Sequence, residues 1–160
     1  MTPYNPTSFE VESDNGNFVK DVKKIKLHFE PEQRESYIGG EILAKRMKDK
    51  GMNSNTLKYL LDNQKEIPEE WKGKYIYFFG TILRRSDGNR YVLYLCWRGG
   101  EWDWLYGWLG HVWRAGRPSA VLAEVSLDSE TKNSLDPLNL ELRVKSLEED
   151  MEKIKKFLIK

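Results

Sequence analysis

The feature that most constrains this chain is a run, YVLYLCW at residues 91–97, that is apolar on both of its alternating faces. Side chains of a strand alternate sides with a period of two. Tyr91, Leu93, Leu95 and Trp97 therefore share one face, and Val92, Tyr94 and Cys96 share the other. A strand with no polar face belongs in the middle of a sheet whose two sides are both covered. The flanking residues say how such a sheet is built. Residues 75–83 are a β-branched and aromatic run, SDGN at 86–89 is a turn signal, GG at 99–100 is another, and residues 101–104 begin a third run. That order predicts an antiparallel meander over residues 74–104, with 90–98 in the middle and Gly88 supplying the positive φ of its turn.

The segments around the meander decide what covers it. Residues 1–16, rich in Pro, Asn, Ser and Asp, read as a loose arm. Ile25, Leu27 and Phe29 alternate with Lys24, Lys26 and His28, which predicts a half-buried strand stopped by Pro31. Residues 37–50 predict a short helix with Ile38, Ile42, Leu43 and Met47 on one side, cations near its C-terminal end and Gly51 as C-cap. A second helix, capped by Asn53, Ser54 or Asn55, carries Leu57, Leu60 and Leu61 and is closed by Pro68. Together they predict a helical hairpin covering one sheet face, with the N-terminal strand, the Trp-rich segment or a partner covering the other. Residues 105–113 are ambiguous: Leu105, Trp108, Leu109, Val112 and Trp113 fit helical spacing, but Gly107 and Gly110 oppose a helix. One more strand is expected at 119–125.

The expected fold is thus α+β: a short helical hairpin packed on a Trp- and Tyr-rich antiparallel β-meander, followed by a C-terminal coiled-coil helix. In domain terms this is a flexible arm at 1–16, a globular domain at 17–126, a linker at 127–137 and the helix at 138–160. In that helix Leu140, Val144, Leu147, Met151, Ile154 and Leu158 are spaced 4, 3, 4, 3 and 4 residues apart, the a/d seam of a heptad repeat. In a parallel pair Arg143 would face Glu148, and Asp150 would face Lys155, both attractive. An antiparallel pair would bring like charges together. The spacing therefore predicts a parallel homo-oligomer with the chain itself as partner.

Composition narrows the function classes. The 26 basic and 25 acidic residues leave a net charge of +1, which argues against a chain whose main task is gripping phosphate backbone without excluding a local basic patch. The single cysteine, Cys96, rules out an intrachain disulfide and reads as a buried core thiol. The N-terminal MTPYNPT has neither the basic nor the apolar region of a signal peptide, and no run reaches the ~18 apolar residues of a membrane span. A cytoplasmic chain with no membrane partner is the expectation.

Three residue sets carry candidate chemistry. The tryptophans come first: Trp71, Trp97 and Trp108 are expected in the core, and Trp102, Trp104 and Trp113 on an accessible surface. Glu101 and Asp103 alternate with Trp102 and Trp104, and aromatic faces beside carboxylates suit sugar rings, nucleobases or cations. The second set is basic, with Arg84, Arg85, Arg90, Arg98, Arg114 and Arg117 interleaved with aromatics as on nucleic-acid surfaces. The third is carboxylate: Glu69 and Glu70 before Trp71, and Glu101 and Asp103 around Trp102, hold the residue types of a glycosidase without its spacing. Neither His28 nor His111 has a positioned nucleophile, and nothing in the sequence indicates a metal or a cofactor.

WKGKYIYFFGT at residues 71–81, the Asp87-Gly88 hairpin, GGEW at 99–102 and WL at 108–109 resemble a group of small bacterial proteins that share a W-x-G-x6-G-T hairpin and a Trp-rich segment. The resemblance covers residues 40–125 and implies a bacterial source, with no activity and no site attached. The expected function is a non-enzymatic binding or assembly protein that oligomerises through its C-terminal helix, with an unidentified protein or glycan as further partner. The first alternative is a carbohydrate- or nucleic-acid-binding module using an exposed Trp face. The second is a small hydrolase with a Glu/Asp acid–base pair.

Overall fold

A computed structural model of the chain describes residues 2–123. The expected linker and terminal helix lie outside the described residues, and with them Leu140, Val144, Leu147, Met151, Ile154 and Leu158. The described part is α+β, with three α-helices and nine strands: β1 (Glu10–Asp14), β2 (Ile25–His28), α1 (Pro31–Glu35), β3 (Ile38–Gly39), α2 (Gly40–Met47), α3 (Ser54–Asp62), β4 (Ile76–Tyr77), β5 (Thr81–Arg84), β6 (Arg90–Arg98), β7 (Glu101–Trp108), β8 (Val112–Trp113) and β9 (Ser119–Leu122).

The doubly apolar run is β6, and it is central. β7 pairs along its whole length, from Tyr91↔Trp108 to Arg98↔Glu101, through the turn at Gly99 and Gly100, both of positive φ. Its other edge is shared. β4 pairs at Ile76↔Leu95 and Tyr77↔Tyr94, and β5 at Leu83↔Tyr91 and Arg84↔Arg90. The run expected as one strand over 75–83 is therefore two short strands, and beyond them the sheet forks. β5 continues antiparallel to β1, whereas β4 meets β9 in parallel and β9 continues antiparallel to β2. The sheet is mixed, not a pure meander.

The break between β4 and β5 has a local cause. Phe78 still donates its N–H to Leu93 O, but Gly80 turns aside to meet two other backbones. Gly16 N–H donates to Gly80 O at 3.0 Å, and Gly80 N–H to Met52 O at 2.9 Å. A Cβ on Gly80 would lie 2.7 Å from Gly16 Cα and 2.8 Å from the Met52 carbonyl, so only glycine lets the chains approach this closely.

Both faces of β6 are covered, but not by a hairpin on one of them. Leu57 and Leu60 of α3 pack with Ile76, Leu83, Leu93 and Leu95 on one side. Leu43, Ala44 and Met47 of α2 pack with Tyr77, Phe79, Ile82 and Val92 on the other. The two helices are split across the sheet, one to each face, because the chain between them passes through the glycine crossing at Gly51 and Met52. Asn53 caps α3, accepting from Thr56 N–H at 3.0 Å.

Other parts of the sequence reading differ from the fold. The 1–16 segment is not a loose arm throughout, since its residues Glu10–Asp14 form β1 and pair with β5. α2 begins at Gly40, not at 37, since Ile38 pairs with Trp113 in a two-stranded ribbon of β3 and β8. Ile42 consequently faces outward, 52% exposed. Pro31 ends β2 but also opens α1, an element the sequence reading did not contain. Residues 105–113, ambiguous from sequence, form no helix: they complete β7 at Trp108 and, after a turn, supply β8.

Candidate functional site

Most arginines of the described chain are neutralised by carboxylates. Arg46 pairs with Glu30 and Glu32, Arg84 with Glu10 and Glu12, Arg85 with Asp87, Arg90 with Glu12 and Glu41, and Arg98 with Asp103. Arg34, Arg114 and Arg117 have no carboxylate among the described residues within 4.0 Å. Each lies over an aromatic ring instead: Arg34 over Phe29 at 4.7 Å, Arg114 over Tyr37 at 5.3 Å and Arg117 over Tyr75 at 5.6 Å. A guanidinium on a ring keeps its N–H fork available in the plane, since stacking uses only its face.

The arginines are positioned by the loop between β8 and β9. Gln33, buried in α1, donates through Nε2 to Arg114 O at 3.2 Å and to Arg117 O at 2.9 Å. From the other side Tyr75 N–H donates to Gly116 O and Tyr77 N–H to Pro118 O. With its carbonyls tied down, the loop carries its two guanidinium groups into a pocket of about 230 Å³ that His111 and Val112 complete. The exposed Tyr75 meets the half-buried Tyr94, ring centroids 5.2 Å apart, and Tyr94 in turn packs on the buried Tyr77 at 4.6 Å.

Burial pushes the Tyr77 phenol well above its ordinary range, with Arg117 pulling more weakly the other way, and burial also raises Tyr94. Both stay neutral at physiological pH, so no phenolate offsets the arginines. The site is a cationic, aromatic face with two mobile-proton-free guanidinium forks and an imidazole around a small concavity. Such a set binds anions and flat rings.

The residues singled out from sequence do not assemble into a tryptophan site. Trp102 was expected on the surface but is 4% exposed, because the segment after α3 covers this part of β7. The Gln64 side chain acts there as one more rung of the sheet, donating to Trp102 O at 3.2 Å and accepting from Trp102 N–H at 3.1 Å. Trp113 is fully buried between Tyr77 and Phe79, with Gly40 beneath its ring. Trp104 is half-buried on the α3 side. Conversely Trp108, expected in the core, is 38% exposed, with His111 edge-on to its ring and Gly110 against it. Trp71 is buried as expected, and Trp97 is half-buried under the Lys72 ammonium at 3.7 Å.

Glu101 is exposed, and Asp103 accepts from Trp104 N–H at 2.8 Å and Arg98 at 3.0 Å. Those two bonds, the backbone one foremost, hold the Asp103 carboxyl below the usual range. A general acid needs the opposite shift, so Asp103 is unsuited to that role. Among the described residues no cluster of His, Cys, Asp and Glu is arranged to hold a metal.

Of the site, sequence reasoning named Arg114 and Arg117 but missed Tyr37, Tyr75 and Gln33. One signal was present: no Asp or Glu occurs between Asp103 and Glu124, so the cations of that stretch lack local partners. Comparison with known proteins finds no family model, no curated protein and no solved structure that matches this chain.

Proposed function

We propose that this chain is a non-enzymatic binding module that presents its arginine–tyrosine face to single-stranded nucleic acid. One observation carries the reading: each arginine left without a carboxylate partner among the described residues lies over an aromatic ring, whereas Arg85, which also lies over a ring, has its fork taken by Asp87. A guanidinium fork matches two phosphate oxygens, and neighbouring rings offer stacking platforms that any base can use. The net charge of +1 is no obstacle, because charge is matched locally: Glu10, Glu12, Glu30, Glu32, Glu41, Asp87 and Asp103 pair with the other arginines and none of them with Arg114 or Arg117. The nucleic-acid alternative is thereby moved from the tryptophans to the arginine loop.

The test is fluorescence anisotropy of a labelled mixed-sequence oligonucleotide with the full chain. Two or three phosphate contacts predict affinity falling about 7- to 18-fold between 50 and 200 mM salt. Arg114→Ala with Arg117→Ala should abolish most of the signal, whereas Arg85→Ala, on an arginine already paired with Asp87, should change little. Equal binding by both variants, or binding indifferent to salt, refutes the proposal.

Assembly belongs to the same proposal. The heptad seam at Leu140, Leu147 and Ile154 would join chains in parallel and so multiply a weak face, raising affinity by avidity without new contacts. Light scattering on the full chain should show an oligomer at tens of micromolar that Leu147→Asp dissociates. A monomeric wild-type chain removes the assembly half of the proposal.

A further inference from the structure

A second concavity, about 510 Å³, shares no residue with the arginine loop. It runs between α2 and β1 and over the break between β4 and β5. Its volume lies within the ~300–1,000 Å³ typical of small-molecule sites. Phe79, Ile82 and Ala44 line it from the core and make it apolar at the base.

The charges around it are unevenly shared. Arg90 collects two carboxylates, Glu12 from β1 at 3.1 Å and Glu41 from α2. Glu41 would ordinarily serve Lys45, four residues on along the same helix face. Because Glu41 is turned to Arg90, Lys45 has no carboxylate within 4.0 Å among the described residues, and neither has Lys48. Lys45 and Lys48 are three apart, neighbours on one side of the helix end, and both line the groove. The groove thus has an apolar base, one end closed by a satisfied ion cluster and one wall carrying two unmatched ammonium groups.

From this we infer that the groove is a binding site for a small amphiphilic anion: a molecule with a carboxylate or phosphate head and an apolar body. The head sits between the Lys45 and Lys48 ammonium groups, and the body lies over Phe79, Ile82 and Ala44. Ser13 and Asn15 on the β1 side supply polar contacts at the rim.

The experiment is isothermal titration calorimetry on the full chain with decanoate, decyl phosphate and the neutral decyl glucoside. The site predicts saturable one-to-one binding of at least one anionic probe and none of the neutral one; the tighter of the two heads identifies the natural head group. The exposed pair Lys45→Glu and Lys48→Glu should weaken it about ten-fold or more, the loss expected when charge-assisted contacts are reversed. Arg114→Ala with Arg117→Ala should leave it unchanged. Equal binding of decyl glucoside, indifference to the lysine reversals, no heat with any probe, or loss in the Arg114/Arg117 variant overturns the inference. A circular dichroism melt of each variant guards against reading misfolding as lost binding, and Lys45→Gln with Lys48→Gln repeats the test without added negative charge.

Discussion

Replacing Gly80 by Ala adds one methyl group where three backbones meet. The added Cβ would lie 2.7 Å from Gly16 Cα and 2.8 Å from the Met52 carbonyl carbon and oxygen, about 0.7 Å inside the 3.4 Å at which ordinary contact begins. All of these are backbone atoms, so no side chain can rotate away. Restoring contact distance stretches the bonds from Gly16 N–H to Gly80 O and from Gly80 N–H to Met52 O, now 3.0 and 2.9 Å, beyond useful length. Two lost hydrogen bonds cost about 1–3 kcal/mol net, and overpacking a filled site adds about 1–3 kcal/mol. The expected loss is therefore about 2–6 kcal/mol, or roughly 6–18 °C in melting midpoint for a chain of this size. Gly88→Ala is the matched control. Its φ is +93° but its Cβ would meet nothing within 4 Å, so it tests backbone strain alone and should cost about 1 kcal/mol. Urea denaturation followed by tryptophan fluorescence measures both. A Gly80→Ala protein within 1 kcal/mol of the parent would show that the crossing is not tightly packed, and the explanation for the split strand would fall with it.

Leu95→Ala, a fully buried change on the α3 side of the central strand, should cost about 2–5 kcal/mol in the same assay, and near-neutrality would remove β6 from the centre of the sheet. For Glu30, burial pushes the carboxyl up, but hydrogen bonds from His28 and Arg46 outweigh it and hold it below its usual range. A depressed folded value means the stabilisation is present above the unfolded value near ~4.3 and is lost as pH falls through the folded one. Glu30→Gln should therefore be less stable than the parent at pH 7, with the gap closing on acidification to pH 3; a gap that widens contradicts the assignment. Burial also pushes the Cys96 thiol up, against a weaker opposing pull from Arg98, and the residue is 3% exposed. A thiol-disulfide reagent should label it only as the protein unfolds, and rapid labelling of the native chain would place it at an accessible edge.

The central strand was legible because its constraint is local. Period-two alternation with apolar residues in both phases permits one location, and the assignment of Tyr91, Leu93 and Leu95 to one face and Val92 and Tyr94 to the other follows from geometry within a few residues. A cap for α3 within residues 53–55, which the fold assigns to Asn53, the turn at Gly88 and the burial of Cys96 were legible for the same reason. Trp102 was not: its cover comes from Gln64, 38 residues away, and the alternation with Glu101 and Asp103 that suggested an open face is equally compatible with a covered one.

What the sequence by itself determined, then, is where the central strand and α3 lie and which residues of the central strand share a side, since both depend on backbone periods. Only the tertiary structure decided which sides are covered and which charges meet. α2 and α3 lie on opposite faces because Gly16, Gly51 and Gly80 let three backbones cross between them. The arginine face exists because five other arginines find carboxylates, some two or five residues away, as Asp87 for Arg85 and Asp103 for Arg98, and some only through the fold, as Glu12 for Arg90, 78 residues apart. A net charge of +1 is a sum, and a sum carries no positions; the fold separates the paired charges from the unpaired ones, and that separation makes the arginine face proposed for binding.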